Sequence, residues 1–491
     1  MTAERRPPRP PRHRRHRRHR RYPRYQPALG AKILAARAVG ELARRARRGG
    51  GTSLPGKVLM RLDRRAIGTL AGRLRRGCVV ISATNGKTTT AAMTAAVLER
   101  AGISLVHNRA GANMAGGVAS TLLAAARPGG GIAGELGLFE LDEFWLDQIV
   151  GELRPGAALL CNLFRDQLDR YGELETIADR WAAVARTLPA ATKLVLNADD
   201  PLIADLGRDV AAAVCYFGIE DDSVALPELQ HASDSKHCRR CGAAYAYEAV
   251  YLGHLGRYRC PACAQQRPVP AIAAEQITLD GTRSASFVLR TPAGAAAVAL
   301  PLPGLYNVYN ALAAAALCLA LEVPLSTVVE GLQTVAAAFG RAETVRIGEL
   351  ELSILLMKNP AGANELLRTL ALERTDLDLL AILNDRTADG RDVSWVWDAD
   401  FELLAPRVRR VTCAGTRAAE LALRLKYAGV PVTRVHVHPS LPEALDDALA
   451  TTATGGRLFA LPTYTALLEL RGELAARGHV GRFWERDRRA A

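Results

Sequence analysis

The stretch that decides the fold is Cys78-Val79-Val80-Ile81-Ser82-Ala83-Thr84-Asn85-Gly86-Lys87-Thr88-Thr89-Thr90. Cys78 to Ile81 reads as a short buried strand, and the residues after Thr88 (TTAAMTAAVLERAG) read as a helix. A turn between them places successive backbone N–H groups and a helix N-terminus around a polyphosphate. Gly86 lets the backbone approach the phosphates, Lys87 reaches the β/γ oxygens, and the Thr88 hydroxyl can ligate Mg²⁺. The full Walker pattern wants Gly five residues before Gly86, where Ile81 stands. A bare Gly-Lys-Thr recurs by chance, so it is the strand before and the helix after that mark a nucleotide site.

Outward from this loop, apolar strands alternate with helical patterns. Leu136 to Leu141, Ala157 to Asn162 and Leu194 to Asn197 are short apolar runs with polar borders, which predicts a mainly parallel sheet covered by helices. Near residue 220 the texture changes to Cys, Tyr, Arg and Gly, then returns to alternation by about 275, as an inserted module would. A further block with apolar runs around 351–356, 379–383, 408–412, 433–437 and 457–461 reads as a second α/β domain. The predicted organisation is a disordered tail (1–25), a helical segment (26–74), a central ATP-binding domain (75–343, insertion about 222–272) and a C-terminal Rossmann-like α/β domain (344–491). In the helical segment Ile33, Leu34, Ala38 and Leu42 are expected near one face.

Within the insertion, Cys238-Arg239-Arg240-Cys241 and Cys260-Pro261-Ala262-Cys263 make C-x₂-C-x₁₈-C-x₂-C. Two such knuckles can set four thiolates tetrahedrally about Zn²⁺, and four Cys ligands leave no open position, so the expected metal is structural. Cys78, Cys161, Cys215, Cys318 and Cys413 lie in apolar surroundings as small core residues. Tyr245, Tyr247, Tyr251 and Tyr258 beside Arg239, Arg240 and Arg257 either stack on bases of a nucleic acid or form the core of a small ribbon.

The chain has 491 residues, 64 Lys plus Arg, 50 Asp plus Glu and nine Cys, room for two or three domains at roughly 150 residues each. Its composition excludes collagen-like, wholly disordered and disulfide-scaffold proteins. Of the net charge of +14, residues 1–25 carry +10, with eleven Arg against one Glu. That tail has no apolar residues for a core and repels itself, so disorder is expected. It is either an electrostatic anchor for nucleic acid or anionic lipid, or a solvated extension with no partner. No secretory h-region follows it. The longest uncharged stretch, 291–321, is broken by Pro301, Pro303, Gly304, Asn307 and Asn310, and its apolar run falls short of the ~20 residues of a membrane span. The expected compartment is a reducing cytoplasm.

Several stretches, in order, resemble the Mur ligases that build peptidoglycan stem peptides. Thr84-Asn85-Gly86-Lys87-Thr88-Thr89 resembles their ATP loop, and Glu140 stands where they place a Mg²⁺-associated Glu. Asn162-Leu163-Phe164-Arg165-Asp166-Gln167-Leu168-Asp169 resembles N-x-x-x-D-H-L-D, and Asn197-Ala198-Asp199-Asp200-Pro201 resembles N-x-D-D-P. Gly304, Asn307, Asn310 and Ala311 match G-x-x-N-x-x-N-A, whose second Asn contacts the base, and Gly340-Arg341-Ala342-Glu343 matches the G-R-x-E hinge, whose Arg contacts ATP. The departures are as informative. Gln167 replaces the His, Trp181 stands where amino-acid-adding members carry a carbamylated Lys, and Leu355-Leu356-Met357-Lys358-Asn359-Pro360 replaces D-Y-A-H-x-P.

The inserted ribbon and the C-terminal block resemble the MurT branch, the synthetase subunits of lipid II isoglutaminyl synthases. Lys358-Asn359-Pro360-Ala361-Gly362-Ala363-Asn364 is similar to K-N-P-A-G-x-N, Asn384 to Trp395 follows N-D-x-x-A-D-G-R-D-x-S-W, and Pro462 to Leu467 is similar to P-N-Y-T-x-L. The resemblance implies ATP-Mg²⁺-dependent phosphorylation of the α-carboxylate of D-Glu in lipid II, at the inner membrane face, then attack by ammonia to give D-isoglutamine. Lys87, Thr88 and Glu140 would serve that chemistry. Ammonia would come from a separate, GatD-like glutaminase, whose Cys-His pair Asp392 would complete; the alternative for Asp392 is a turn cap before Ser394-Trp395. Two competing functions remain: a Mur-type ligase that adds an amino acid, and a P-loop zinc-ribbon protein that binds nucleic acid.

Overall fold

The computed structural model describes residues 27–45, 53–108, 112–129, 131–166, 174–230, 233–335 and 341–481. The Arg-rich tail, Gln167, Asp169 and Gly340 lie outside these residues.

Cys78–Ser82 forms strand β1, and all five residues are buried. Its alternate residues feed two cores: Val79 and Ile81 pack in one cluster, Cys78 and Val80 in the other. A strand covered on both faces must be apolar throughout, which is why no alternation shows in its sequence. Around it run β2 (Leu105–His107), β3 (Leu136–Glu140), β4 (Ala157–Leu160), β5 (Lys193–Asn197) and β6 (Ala213–Ile219). β7 (Ala246–Leu252) and β8 (Leu255–Arg259) form a separate hairpin before the chain returns as β9 (Ile272–Asp280), β10 (Ser284–Thr291) and β11 (Gly294–Leu300). The nine-stranded order is β2-β3-β1-β4-β5-β6-β9-β10-β11. It is parallel as far as β9 and antiparallel beyond.

Chain direction across the sheet reverses at β1. Ile81 pairs with Glu140 of β3 on one side and with Leu159 of β4 on the other. Helix Lys87–Arg100 leaves the end of β1, and the Ala-rich helix Leu305–Ala320 lies buried beside it, Val97, Leu312 and Leu317 all at 0% exposure.

The second sheet holds β12 (Arg341–Ile347), β13 (Leu350–Leu355), β14 (Leu377–Ile382), β15 (Val408–Ala414), β16 (Val435–Val437) and β17 (Arg457–Pro462). Its order is β12-β13-β17-β14-β15-β16, with only the β12–β13 pair antiparallel. Apolar clusters cover both of its faces, as the expected α/β architecture requires.

One expectation is corrected. In helix Pro27–Arg45 the buried stripe is Leu29, Ile33 and Ala36, whereas Leu34 and Leu42 are 54% and 65% exposed. The sequence supports either stripe. Packing selects the one containing Gly40, where a Cβ would stand 2.6 Å from Pro55 of the next helix.

Candidate active site

The loop Ala83–Gly86 lies at the carboxyl end of β1, the place where an open α/β sheet leaves a crevice for ligands. Gly86 adopts φ +83°, and a Cβ there would fall 2.0 Å from Asn310 Oδ1. Only glycine satisfies both demands. Asn310 in turn accepts from Thr90 Oγ1 at 3.2 Å and donates to Asn307 Oδ1 at 3.1 Å. It therefore backs the turn and the first helical residues. Asn162, after β4, holds the loop from the other side: its Oδ1 accepts from Asn85 N at 2.9 Å and its Nδ2 donates to Asn85 O at 3.0 Å. Thr84 N donates to Asn162 O, and Phe164 N donates to Thr84 Oγ1. Thr89 is buried on the first turn.

Among the described residues, six charged side chains converge on this loop. Lys87 Nζ donates to Glu143 Oε2 at 2.7 Å and also to Ala83 O, both side chains being only 8% exposed. Thr88 Oγ1 donates to Glu140 Oε1 at 2.9 Å. Glu140 is fixed through its backbone: Asn108 accepts from Glu140 N and donates to Glu140 O. Lys358, on the connection between β13 and helix Pro360–Ala371, pairs with Asp166. Burial acts to raise the Glu143 carboxyl, but Lys87 and Lys358 outweigh it and hold that group below the usual range. At Asp166 burial wins and pushes the carboxyl up despite Lys358. Burial, then Glu143, likewise raises Asp142. Asp166 Oδ1 is buried without a hydrogen-bond partner among the described residues.

The residues present suit a magnesium nucleotide. A hydroxyl and a carboxylate sit together at the loop, the hard oxygen donors Mg²⁺ prefers alongside phosphate, and Lys87 is a cation that would suit the phosphates themselves.

The second sheet reaches this loop directly. Asn359 Nδ2 donates to Asn85 Oδ1 at 3.0 Å, and Asn85 Nδ2 donates to Asn359 Oδ1 at 3.2 Å. The same Asn359 caps helix Pro360–Ala371 by accepting from Gly362 N, which sets where Lys358 stands. Arg165, next to Asp166, pairs with Asp234 and lies 3.5 Å from Asp398. Arg341 opens β12, its backbone paired with Leu355.

Asp392 stands apart from this cluster, exposed on the loop before the short 3₁₀ turn Ser394–Asp398. Its Oδ1 accepts from Ser394 N at 2.9 Å, and hydrogen bonds from Ser394 hold its carboxyl below the usual range. The neighbouring Asp389 is structural: it is buried and accepts from Thr465 N and Oγ1.

In the β7–β8 module the four Sγ atoms of Cys238, Cys241, Cys260 and Cys263 lie within 4.8 Å of one another. Cys238–Cys263 and Cys241–Cys260 are 3.5 and 3.4 Å apart, near the ~3.8 Å edge of a tetrahedron with Zn–S bonds of about 2.3 Å. The four thiols therefore fit a metal of that kind. Tyr245, Tyr247 and Tyr258 pack on one another, with centroids 5.1–6.4 Å apart. They form the ribbon's own small core, as the second sequence-based alternative held. The Asp199-Asp200 turn is also structural. Asp199 pairs with Arg267 and Tyr309, while Asp200 caps helix Pro201–Asp205 and accepts from Leu163 N.

The fold thus brings Thr84, Asn85, Gly86, Lys87, Thr88, Thr89, Glu140 and Asn310 together, and leaves Asp392 and the four cysteines elsewhere. Glu143, Asn162, Asn108 and Asp166 were not assigned roles from sequence. A signal for Glu143 was available: Asp142-Glu143 follows an apolar strand end, where two adjacent acids are costly unless something pairs with them. Trp181, at 0% exposure, donates from Nε1 to Glu143 O at 2.9 Å, so the indole occupies the core beneath the acidic residues.

Residues 81–259 match the family profile described as Mur ligase middle domain, and residues 356–467 match MurT ligase C-terminal. A curated relative from Streptococcus pneumoniae strain R6, lipid II isoglutaminyl synthase (glutamine-hydrolyzing) subunit MurT, is 33% identical over 88% of this chain and 94% of its own. The subunit of that name from Staphylococcus aureus strain N315 is 32% identical over 90% and 94%. Among solved structures, MurF from Acinetobacter baumannii superposes with a TM-score of 0.64 at 20% identity, covering 86% of this chain and 80% of that one. A pseudomurein peptide ligase type C from Methanothermus fervidus gives 0.62 at 23%, covering 83% and 80%. Both structures share the fold.

Proposed function

The chain belongs to the MurT family of lipid II isoglutaminyl synthase subunits, and from that premise we propose that it amidates the α-carboxyl of D-Glu in the lipid II stem peptide. The observation that carries the reading is the reciprocal amide pair between Asn85 and Asn359. It seats Lys358-Asn359-Pro360, the element that replaces the amino-acid ligases' motif, against the phosphate loop.

A carboxylate resists attack by nitrogen because oxide is a poor leaving group; transfer of a phosphoryl group from ATP to it supplies a better one. Catalysis is then positioning and charge neutralisation. Backbone N–H groups of Gly86 to Thr88 cradle the triphosphate, and Lys87 exchanges Glu143 for phosphate oxygens. Thr88 and Glu140 would hold Mg²⁺, which neutralises phosphate charge when bound. Asn359 and Lys358 close the site from the second sheet, and closure matters because acyl phosphates hydrolyse in water.

Ammonia comes from a separate GatD-like glutaminase. The exposed carboxylate of Asp392, with Oδ1 engaged by its own turn, supports a role in completing that partner's Cys-His pair. The four-cysteine cluster would hold a structural Zn²⁺. The protein acts in the cytoplasm at the inner membrane face; among the described residues no helix is long and apolar enough to cross the membrane. The test is co-purification with the glutaminase, then mass spectrometry of lipid II incubated with ATP and glutamine. The small mass decrease from replacing hydroxyl by amide is expected. Unchanged lipid II beside active ATP hydrolysis would refute this substrate.

A further inference from the structure

The reaction proposed above has a proton to dispose of. When ammonia attacks the acyl phosphate, its lone pair forms the C–N bond and the carbonyl electrons move onto oxygen. The tetrahedral adduct then carries a positively charged nitrogen. One proton must leave that nitrogen before the C–O bond to phosphate breaks and the carbonyl re-forms. None of Lys87, Thr88 and Glu140 is suited to take it: the first is a cation, the second a hydroxyl, and Glu140 is engaged with Thr88.

Among the described residues, three other carboxylates face the loop. Glu143 is neutralised by Lys87 at 2.7 Å, and the same pairing makes it a weak base. Asp142 is a turn cap, with Oδ1 accepting from Phe144 N. Asp166 differs from both. Its side chain is 6% exposed, one oxygen is held by Lys358, and Oδ1 has no partner among the described residues. A buried carboxylate oxygen without a donor is costly, and it is tolerated where a donor arrives during function. Among the described residues, the charged groups that act on it are Lys358, Glu143 and Lys87, from three separate parts of the fold. Burial also holds this carboxyl above its usual range, which makes it a stronger base than an ordinary aspartate.

Resting on the amidation reading, we infer that Asp166 is the general base that accepts the nitrogen proton, with Lys358 as the positioning residue that orients it. Asp166 Oδ1 takes one proton from the adduct nitrogen. The C–O bond then breaks with its electron pair leaving on phosphate, and the proton passes from Asp166 to that phosphate. Acyl phosphate plus ammonia thereby gives amide plus hydrogen phosphate, with no further reactant.

The experiment compares two nitrogen nucleophiles on the complete complex of this chain with its glutaminase, using lipid II and ATP-Mg²⁺. Ammonia needs a base at the adduct. Hydroxylamine does not, because its protonated adduct is far more acidic and sheds the proton to water. Asp166→Asn is expected to slow ammonia-driven amidation by about 10²–10⁴-fold, the span of general base catalysis, while hydroxamate formation stays within a few-fold of wild type. Retained hydroxamate formation also shows that the variant is folded and phosphorylates its substrate. Asp166→Glu should restore part of the ammonia rate with a shifted pH profile. Equal loss with both nucleophiles would place Asp166 upstream, at phosphorylation or metal binding, and overturn the inference; so would unchanged ammonia rates in Asp166→Asn. If the wild-type complex consumed ATP yet gave neither amide nor hydroxamate from lipid II, the amidation reading itself would fall, and this inference with it.

Discussion

Replacing Glu143 by Gln asks whether the phosphate-loop lysine is held in reserve by the protein itself. Lys87 and Glu143 are paired at 2.7 Å with both side chains 8% exposed. Removing one partner of a buried pair costs about 3–5 kcal/mol, because the other charge is left uncompensated. Gln keeps an acceptor in place, so the low end, about 3 kcal/mol, is expected for the nucleotide-free protein. A bound triphosphate supplies the missing negative charge, so the loss should largely disappear in the loaded protein. What is recovered on binding appears as affinity, and recovery of about 1.4–2.8 kcal/mol tightens ATP about 10- to 100-fold. Thermal unfolding of the full chain with and without ATP, together with titration of a fluorescent ATP analogue, reads both quantities. Glu143→Gln should lower the nucleotide-free midpoint, enlarge the rise produced by ATP, and lower the Kd. The pH dependence has a definite sign. Burial opposes ionisation of Glu143, but Lys87 and Lys358 prevail and depress its carboxyl. The pair therefore adds stability that is complete above the ordinary Glu value near ~4.3 and is lost as pH falls through the lower folded value. The Gln variant should lack that acid limb. An equal drop in midpoint with and without ATP, or weaker ATP binding, would refute the exchange and show that the pair persists beside nucleotide.

The remaining expectations concern three other places. Asp392→Asn should reduce glutamine-driven amidation by about 10⁴-fold, as loss of the orienting carboxylate does in related triads, while leaving amidation from added ammonium unchanged; equal loss of both would reject the partner role. Gly86→Ala should abolish detectable nucleotide binding in the same titration, because its Cβ would stand 2.0 Å from Asn310 Oδ1 at φ +83°; binding within a few-fold of wild type would show that the turn can shift. Cys260→Ser should drop zinc content, measured by elemental analysis, from about one ion per chain toward zero and lower the thermal midpoint, since structural zinc contributes folding energy directly; full zinc retention would exclude the four-thiolate site.

Strand β1, the turn at Gly86 and the four-cysteine spacing were legible because each is a local pattern whose chemistry needs neighbours in sequence. The same holds for the apolar runs of both sheets, whose observed bounds lie within a few residues of the expected ones. Helix Pro27–Arg45 was misread because its pattern carries two possible stripes, and the choice depended on Pro55 of another helix. The tyrosines of the ribbon were ambiguous for a similar reason. An aromatic beside arginines reads as a binding surface until its ring is seen packed on other rings.

The order of amino acids alone determined the α/β class, the place of the Gly86 turn after β1, the lysine that follows it, and the set of four cysteines that come together. These follow from backbone geometry and coordination chemistry over short spans. Tertiary structure alone decided which charges meet: Lys87 with Glu143 across 56 residues, Lys358 with Asp166 across 192, and Asn85 with Asn359 across 274. The physical reason is that Coulomb attraction and desolvation act through space, so which buried carboxylate is neutralised and which is left with an open oxygen depends on the packing of distant segments rather than on their neighbours in the chain.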